Sequence, residues 1–369
     1  MLKKIMIVFG TRPEAIKMVP LIQKLKQYKQ INLITCLTAQ HREMVDQVLT
    51  YFNINPDYDL NIMTKNQSLT DLSIHLLTKM DELLKKVKPD IILVHGDSTT
   101  TFITSLAAFY NSIPVGHVEA GLRTFNKYSP YPAELNRQFT GCIANLHFTP
   151  TKLTANNLIK ENKPKESIFI TGNTIIDTIN MTLDKNYYHP ILNNIQNKKL
   201  ILLTIHRREN LNKIDEIFNV IKKIINKFED VVILYPVHLN PKIQEKAKYF
   251  LNNHERIILT SPLSIYDFHN LIAKSYLILT DSGGIQEAAP SLNVPVIILR
   301  DTTERPEGLK TGASILAGTK PHNIYNIVHD LLINPVIHKK MSHAINPYGD
   351  GTASKKIIEI ILKYLKVNI

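Results

Sequence analysis

The sequence predicts an α/β protein built from two doubly wound, Rossmann-like halves, and three observations carry that prediction. Short β-branched runs, apolar on both faces, alternate with helical stripes. A strand buried on both faces belongs in a parallel sheet with helices over each side. The alternation runs to Thr171-Gly172-Asn173 and then begins again. The length of 369 residues leaves room for two domains at ~150 residues each.

In the first half, residues 4–9 form a β-branched run that ends at Gly10-Thr11-Arg12-Pro13-Glu14, and Ala15, Met18, Val19, Ile22 and Leu25 then give a helical stripe. A strand over 31–37 precedes a helix over 40–52, and a long helix covers 69–87. The run 90–94 ends in His95-Gly96-Asp97 before a helix at 100–110, and the run 113–118 ends in Glu119-Ala120-Gly121. In the second half, a strand at 200–204 ends in His206-Arg207-Arg208-Glu209-Asn210 before a helix at 213–228. Strands follow at 231–235, 256–260, 276–280 and 294–299; the third ends in Asp281-Ser282-Gly283-Gly284 and the last in Arg300-Asp301. An amphipathic tail covers 352–365. These boundaries give domains of 1–170 and 171–351. In such sheets ligands bind beyond the carboxyl ends of the strands. The polar segments all sit there, so both halves are expected to turn their chemistry into one crevice.

Composition narrows the function. With 44% apolar and 21% charged residues the chain is neither disordered nor fibrous. No apolar run nears the ~18 residues of a membrane helix, and the apolar stretch 5–9 is too short for a signal peptide. A soluble, cytoplasmic protein with no membrane partner is expected. Cys36 and Cys142, the two cysteines, make no disulfide framework and are expected to pack in the core. No histidine or cysteine spacing fits a metal. The net charge is +12, yet Trp is absent and basic residues do not interleave with aromatics. That pattern favours an anionic small substrate over nucleic acid. Lysine outnumbers arginine 35 to 9. Where charge alone suffices lysine has taken over, so the remaining arginines should mark sites that need a planar fork.

The strand ends then carry the chemistry. Gly10 to Glu14 is a strand-to-helix turn whose free N–H groups, with Arg12 and Lys17, would draw an anion; a plain helix start is the alternative. Asp281-Ser282-Gly283-Gly284 can bring backbone N–H groups and the Ser282 hydroxyl to a phosphate, or be a simple tight turn. There is no GxGxxG dinucleotide pattern, and Gly116–Gly121 has P-loop glycine spacing but is followed by Leu122 instead of lysine. Asp97 and Glu119 each end an apolar strand, where two carboxylates could exchange protons with one sugar carbon; each could instead pair with an arginine or cap a helix. His206 beside Arg207 and Arg208 reads as an anion contact.

At these residues the sequence resembles the non-hydrolysing UDP-N-acetylglucosamine 2-epimerases, most closely the Gram-positive members. The opening 9–17, His95-Gly96-Asp97, the stretch 116–123, the stretch 206–210, the stretch 281–287 and the stretch 300–307 match in order. The resemblance implies a two-domain fold like the B-type glycosyltransferases, with the C-terminal helix, 352–369, packing back on the first domain. It implies interconversion of UDP-GlcNAc and UDP-ManNAc by elimination of UDP to 2-acetamidoglucal and re-addition, without a cofactor, in a homodimer that supplies cell-surface polysaccharide. By position it makes Asp97, Glu119 and His206 catalytic. Arg12, Lys17, Arg137, His206, Ser282, Gly283 and Gly284 become substrate contacts, mainly to the diphosphate. Glu287 falls at the ribose and Phe268 at the uracil. Gln40, Arg207 and His238 match a second, activating nucleotide site.

Two departures matter. Ala133 stands where the family has a catalytic Glu, and Ala288 where it has a Glu that holds the ribose hydroxyls. Losing the first would cost ~10²–10⁴ in rate, and losing the second ~1.5–3 kcal/mol of binding. Glu134 and Glu287 are adjacent, but a neighbour on a helix points ~100° away. Besides an epimerase, the sequence therefore leaves open a UDP-sugar-binding copy without turnover and a glycosyltransferase of the same architecture.

Overall fold

Apolar runs that cannot be exposed on either face end up in the middle of two parallel sheets. The computed structural model describes residues 2–39, 42–64, 67–195 and 197–367. These divide into two compact units, Met1–Asn180 with Tyr348–Ile369, and Met181–Pro347. The division falls inside the helix Thr174–Thr182, some residues beyond the boundary expected near 170, because the start of that helix belongs to the first unit.

The first unit runs β1 (Lys3–Phe9), α1 (Arg12–Leu25), β2 (Ile31–Leu37), α2 (Arg42–Tyr51), β3 (Tyr58–Asp59), α3 (Leu69–Val87), β4 (Ile91–His95), α4 (Thr99–Tyr110) and β5 (Val115–Val118). It continues with α5 (Ala133–Ile143), β6 (Leu146–Thr149), α6 (Lys152–Lys160), β7 (Ile168–Ile170) and α7 (Thr174–Thr182). The sheet order is β3-β2-β1-β4-β5-β6-β7, with all pairs parallel. The order reverses between β1 and β4, so the loops that follow these two strands sit at the switch point where such sheets bind ligands. All five residues of β4 are buried, as a two-sided strand requires.

The second unit runs β8 (Lys199–Thr204), α8 (Ile214–Lys227), β9 (Val231–Pro236), α9 (Pro241–Leu251), β10 (Ile257–Thr260), α10 (Ile265–Ala273), β11 (Leu277–Thr280) and α11 (Gly283–Ala288). Then come β12 (Val296–Ile298), α12 (Pro306–Thr311), β13 (Ser314–Leu316), α13 (Pro321–Ile333) and α14 (Pro335–Ser342). Its sheet order is β10-β9-β8-β11-β12-β13, also parallel, with the switch between β8 and β11. The stripe of α8 buries Ile214, Ile217, Phe218, Ile221 and Ile224 against one face of this sheet. The last helix, α15 (Ala353–Tyr364), returns to the first unit and packs on α1.

The expected pair of doubly wound α/β halves is therefore present. Reading from sequence passed over the short strands β3, β6, β7 and β13. Two to four residues are too few for periodicity to register, and β6 carries a polar His147 in its middle. One expectation is corrected. Cys36 is buried, but Cys142 is exposed. On α5 the inward positions near it belong to Thr140 and Gly141, and its thiol lies 3.4 Å from Lys163 Nζ at the surface.

Candidate active site

The first unit places carboxylates at the ends of neighbouring strands. After β4, Gly96 turns with φ near +70°. Its N–H donates to the Val118 carbonyl at 2.9 Å, and its carbonyl lies 2.7 Å from His117 Nε2. The Asp97 carboxylate that follows is ion-paired with Arg137, and its carbonyl accepts from Asn136 Nδ2 at 3.0 Å. After β5, Glu119 stands at φ near +64°, a left-handed conformation uncommon outside glycine. Its carboxylate is bonded to Lys17 and accepts from Asn173 Nδ2 at 2.6 Å, with His95 Nε2 at 3.6 Å. A β-carbon at Gly96 would sit 3.6 Å from Glu119 Oε1, so the Glu119 carboxylate lies against the residue that precedes Asp97. Lys17, expected near a diphosphate, thus holds Glu119.

The turn before α1 differs from the sequence expectation. Gly10 and Thr11 N–H were to be open to an anion, but both donate to the Glu14 carboxylate, at 2.7 and 2.9 Å. The other oxygen of Glu14 accepts from Ser98 and, at 3.0 Å, from Thr101. One buried carboxylate therefore ties the β1–α1 loop to the β4–α4 loop. Burial pushes its pKa up despite these four donors. Attraction for an anion here falls to the Arg12 side chain, half-buried at the first position of α1. Burial lowers its guanidinium pKa.

Ala133 opens α5. The adjacent Glu134 is fully buried and already engaged. It accepts from Thr124 N–H at 3.0 Å, Phe125 N–H at 3.1 Å, Gln138 at 3.0 Å and Arg137 at 3.3 Å. It cannot stand in for a carboxylate missing at 133. It orients Arg137, which in turn holds Asp97.

In the second unit, the fully buried Asp281 gathers the loop after β8. It accepts from His206 N–H at 3.1 Å, Arg207 N–H at 2.9 Å and Asn210 Nδ2 at 2.9 Å, with His206 Nδ1 3.1 Å from its other oxygen. Burial alone would raise its pKa; the hydrogen bonds from His206 and Arg207 and the histidine's charge outweigh that and hold it below the usual carboxylate range. His206 stacks on His238 with ring centroids 5.8 Å apart. Arg207 Nε reaches the Asp281 carbonyl at 3.3 Å. Of the three residues expected at a second nucleotide site, Arg207 and His238 thus flank the His206 loop, while Gln40 lies outside the described residues.

Ser282 precedes α11, and its N–H donates to Thr280 Oγ1 at 2.9 Å. Gly283 lies against Arg305: a β-carbon there would be 2.8 Å from Cζ, so only glycine fits without moving the guanidinium. Gly284 has nothing within 4 Å of where its β-carbon would be. Glu287, expected near a ribose, is fully buried and accepts from Arg305 Nε at 2.7 Å. Arg305 also pairs with Glu304, which reaches Arg300 at 2.9 Å, and Arg300 reaches Glu209 at 2.9 Å. Ala288 is buried, and Phe268 sits half-buried on α10 over the adjacent core. Sequence reasoning gave no part to Asn173 or Glu14. Arg305 was among the nine arginines expected to mark a site that needs a planar fork, but with no partner assigned to it. Asn173 gave no signal, since an asparagine after a glycine reads as a turn.

Known proteins resemble this chain over nearly its whole length. The family model described as UDP-N-acetylglucosamine 2-epimerase matches residues 23–362. A UDP-N-acetylglucosamine 2-epimerase of Bacillus subtilis is 57% identical over 97% of this chain and 95% of its own length. The S. aureus MnaA–UDP co-structure superposes with a TM-score of 0.96 at 50% identity, over 100% of this chain and 98% of that one. The UDP-GlcNAc 2-epimerase of Neisseria meningitidis bound to UDP-GlcNAc gives a TM-score of 0.93 at 46% identity, over 98% of this chain and 100% of that one. With a family model that spans most of the chain and relatives this similar over nearly its whole length, the chain belongs to the UDP-N-acetylglucosamine 2-epimerase family.

Proposed function

We propose that this chain interconverts UDP-GlcNAc and UDP-ManNAc, inverting C2 by elimination and re-addition of UDP. The C2 proton has no carbonyl beside it, so simple deprotonation is unfavourable. In the proposed route a carboxylate takes the C2 proton as the C1–O bond breaks, and that electron pair leaves with UDP. The 2-acetamidoglucal turns its other face, a second group returns a proton to C2, and UDP re-adds at C1. The single observation that carries this reading is the Asp97–Arg137 and Lys17–Glu119 pairs at the ends of adjacent strands. Asp97 and Glu119 serve proton transfer, with His206 assisting the departing UDP. Arg12, His206, Ser282, Gly283 and Gly284 take the diphosphate, where preorganised donors act on charge as it develops. Arg137 and Lys17 act through the carboxylates that they hold, Asp97 and Glu119; Glu287 lies in the ribose stretch, and Phe268 covers the uracil.

The finer readings follow the family resemblance. Gln40, Arg207 and His238 form a second nucleotide site at which UDP-GlcNAc activates the enzyme. The chain works as a cytoplasmic homodimer, without cofactor or metal, and its product feeds cell-surface polysaccharide. Light scattering across a concentration series tests the dimer.

Deuterium exchange at C2 tests the reaction. The protein is incubated with UDP-GlcNAc in D₂O, and label and UDP-ManNAc are followed by NMR in the parent chain and in Ala133→Glu. Exchange in either supports epimerisation, and faster exchange in Ala133→Glu supports a proton-transfer role for that position. One observation favours a second reading, a UDP-sugar binder without turnover: Glu134 is saturated and cannot replace the carboxylate absent at 133. Saturable UDP binding with no exchange in the parent, and recovery in Ala133→Glu, is the result that reading expects.

A further inference from the structure

The chain leaves the first unit after Asn180 and re-enters it at Tyr348. The segments on either side of this excursion touch within the first unit. Gly172 and Gly349 both have positive φ, and a β-carbon on Gly349 would lie 3.2 Å from Gly172 Cα and 3.4 Å from the Asn173 nitrogen. Asn173 N–H donates to the carbonyl of the buried Tyr348 at 2.7 Å. A few residues on, the Asp177 carboxylate accepts from Ala353 N–H at 3.2 Å and Ser354 N–H at 2.9 Å, which fixes the start of α15. The Thr178 hydroxyl donates to the Ile16 carbonyl at 2.7 Å, one residue from Lys17.

The buried Asn173 side chain has a fixed orientation. Its Oδ1 accepts from Ile175 N–H at 3.1 Å, so its amide N–H is left to point at Glu119, 2.6 Å away. We infer that Asn173, set in place by the returning segment at Tyr348–Gly349, is a positioning residue for Glu119. The amide donates to Glu119 Oε2 without competing for its proton, while Lys17 from α1 supplies the charge and the buried His95 of β4 lies 3.6 Å from the same oxygen. The Asp97 carboxylate is held separately by Arg137. This inference rests on the proposed proton-transfer role of Glu119.

Asn173→Asp is nearly isosteric and can still accept from Ile175 N–H, but it turns a second carboxylate toward Glu119. Gly349→Ala moves Asn173 through the backbone and touches no charged group. The Glu119 titration is followed by ¹³C-carboxyl NMR, with its signal identified by its loss in Glu119→Gln. C2 exchange is followed in the Ala133→Glu background, and UDP affinity by calorimetry. The expected result for Asn173→Asp is a Glu119 midpoint raised by about one pH unit or more, as like charges at hydrogen-bond distance require. Exchange should fall about tenfold or more, with the UDP Kd changed less than twofold. Gly349→Ala should lower exchange in the same direction with UDP affinity held. An unmoved Glu119 midpoint, unchanged exchange, or a UDP Kd that weakens in step with exchange overturns the inference. Absence of exchange from every chain refutes the epimerase reading, and the NMR titration still decides whether Asn173 holds Glu119.

Discussion

Glu119 and Asp281 each stand just beyond an interior strand of their own sheets, Glu119 after β5 and Asp281 after β11, yet they are held in opposite ways. Asp281 accepts two backbone N–H groups and an asparagine amide, and it pins a loop. Glu119 is gripped by the side chains of Lys17 and Asn173, on a residue whose own backbone is left-handed. A carboxylate saturated by backbone donors serves architecture, because it cannot take a proton without releasing the chain that it holds. A carboxylate held by side chains can change protonation while the backbone stays put. By the same test Glu14 and Glu134, each bonded to two backbone N–H groups, belong with Asp281.

The comparison breaks most readily at its largest consequence. Glu119→Gln should lower C2 exchange in the Ala133→Glu chain by about 10²–10⁴ with the UDP Kd almost unchanged, and should lower the thermal midpoint, because the buried Lys17 loses its counter-charge. Loss of UDP binding in this variant would move Glu119 into the architectural class. Asp281→Ala should act mainly on stability. It leaves buried donors unpaired and costs about 3 kcal/mol of stability, at 1–3 kcal/mol for each such group, read as a lower urea midpoint. Asp281 also has a sign in pH. Its folded pKa lies below the unfolded value near 3.8, so its contribution is complete above that pH and is lost as acid carries the pH through the folded pKa. Smaller again, Ala288→Glu should tighten UDP binding by about 1.5–3 kcal/mol, roughly tenfold to a hundredfold, in the same calorimetric titration. No change would mean that the Glu287–Arg305 pair alone sets this part of the site.

The sheets were legible because two-sided apolar strands leave a clear mark, and so were Asp97, Glu119 and His206, which end such strands. The wiring between them was not. Nothing local to Lys17 says that it faces Glu119 rather than a diphosphate, because the partner lies 102 residues away. Likewise the turn Gly10-Thr11 looks open to an anion until Glu14 folds back over it, and a capping glutamate three residues into a helix is the commoner outcome. Arg305 was visible as a retained arginine, but its fit against Gly283 depends on two loops that meet only in the folded sheet.

The mildest prediction separates the two units by acid. His117 and His147 lie buried side by side on β5 and β6 of the first unit, where burial drives their pKa values down to about 3 and about 4. Above pH ~6.5 these rings are neutral whether folded or not, and they add no pH dependence. Below it the unfolded chain takes up protons that the folded sheet refuses. Each ring then removes about 1.4 kcal/mol per pH unit, until its folded pKa is reached. Asp281, a fully buried carboxylate of the second unit, keeps its contribution until the pH falls below ~3.8. Hydrogen exchange followed by mass spectrometry between pH 7 and pH 4.5, corrected for the intrinsic rate, should therefore show β4 to β6 losing protection while β8 and β11 retain theirs. In His117→Asn the first unit should lose less over the same interval. Equal loss in both units would show that the buried histidines do not govern the acid response, and would remove this difference between the two sheets.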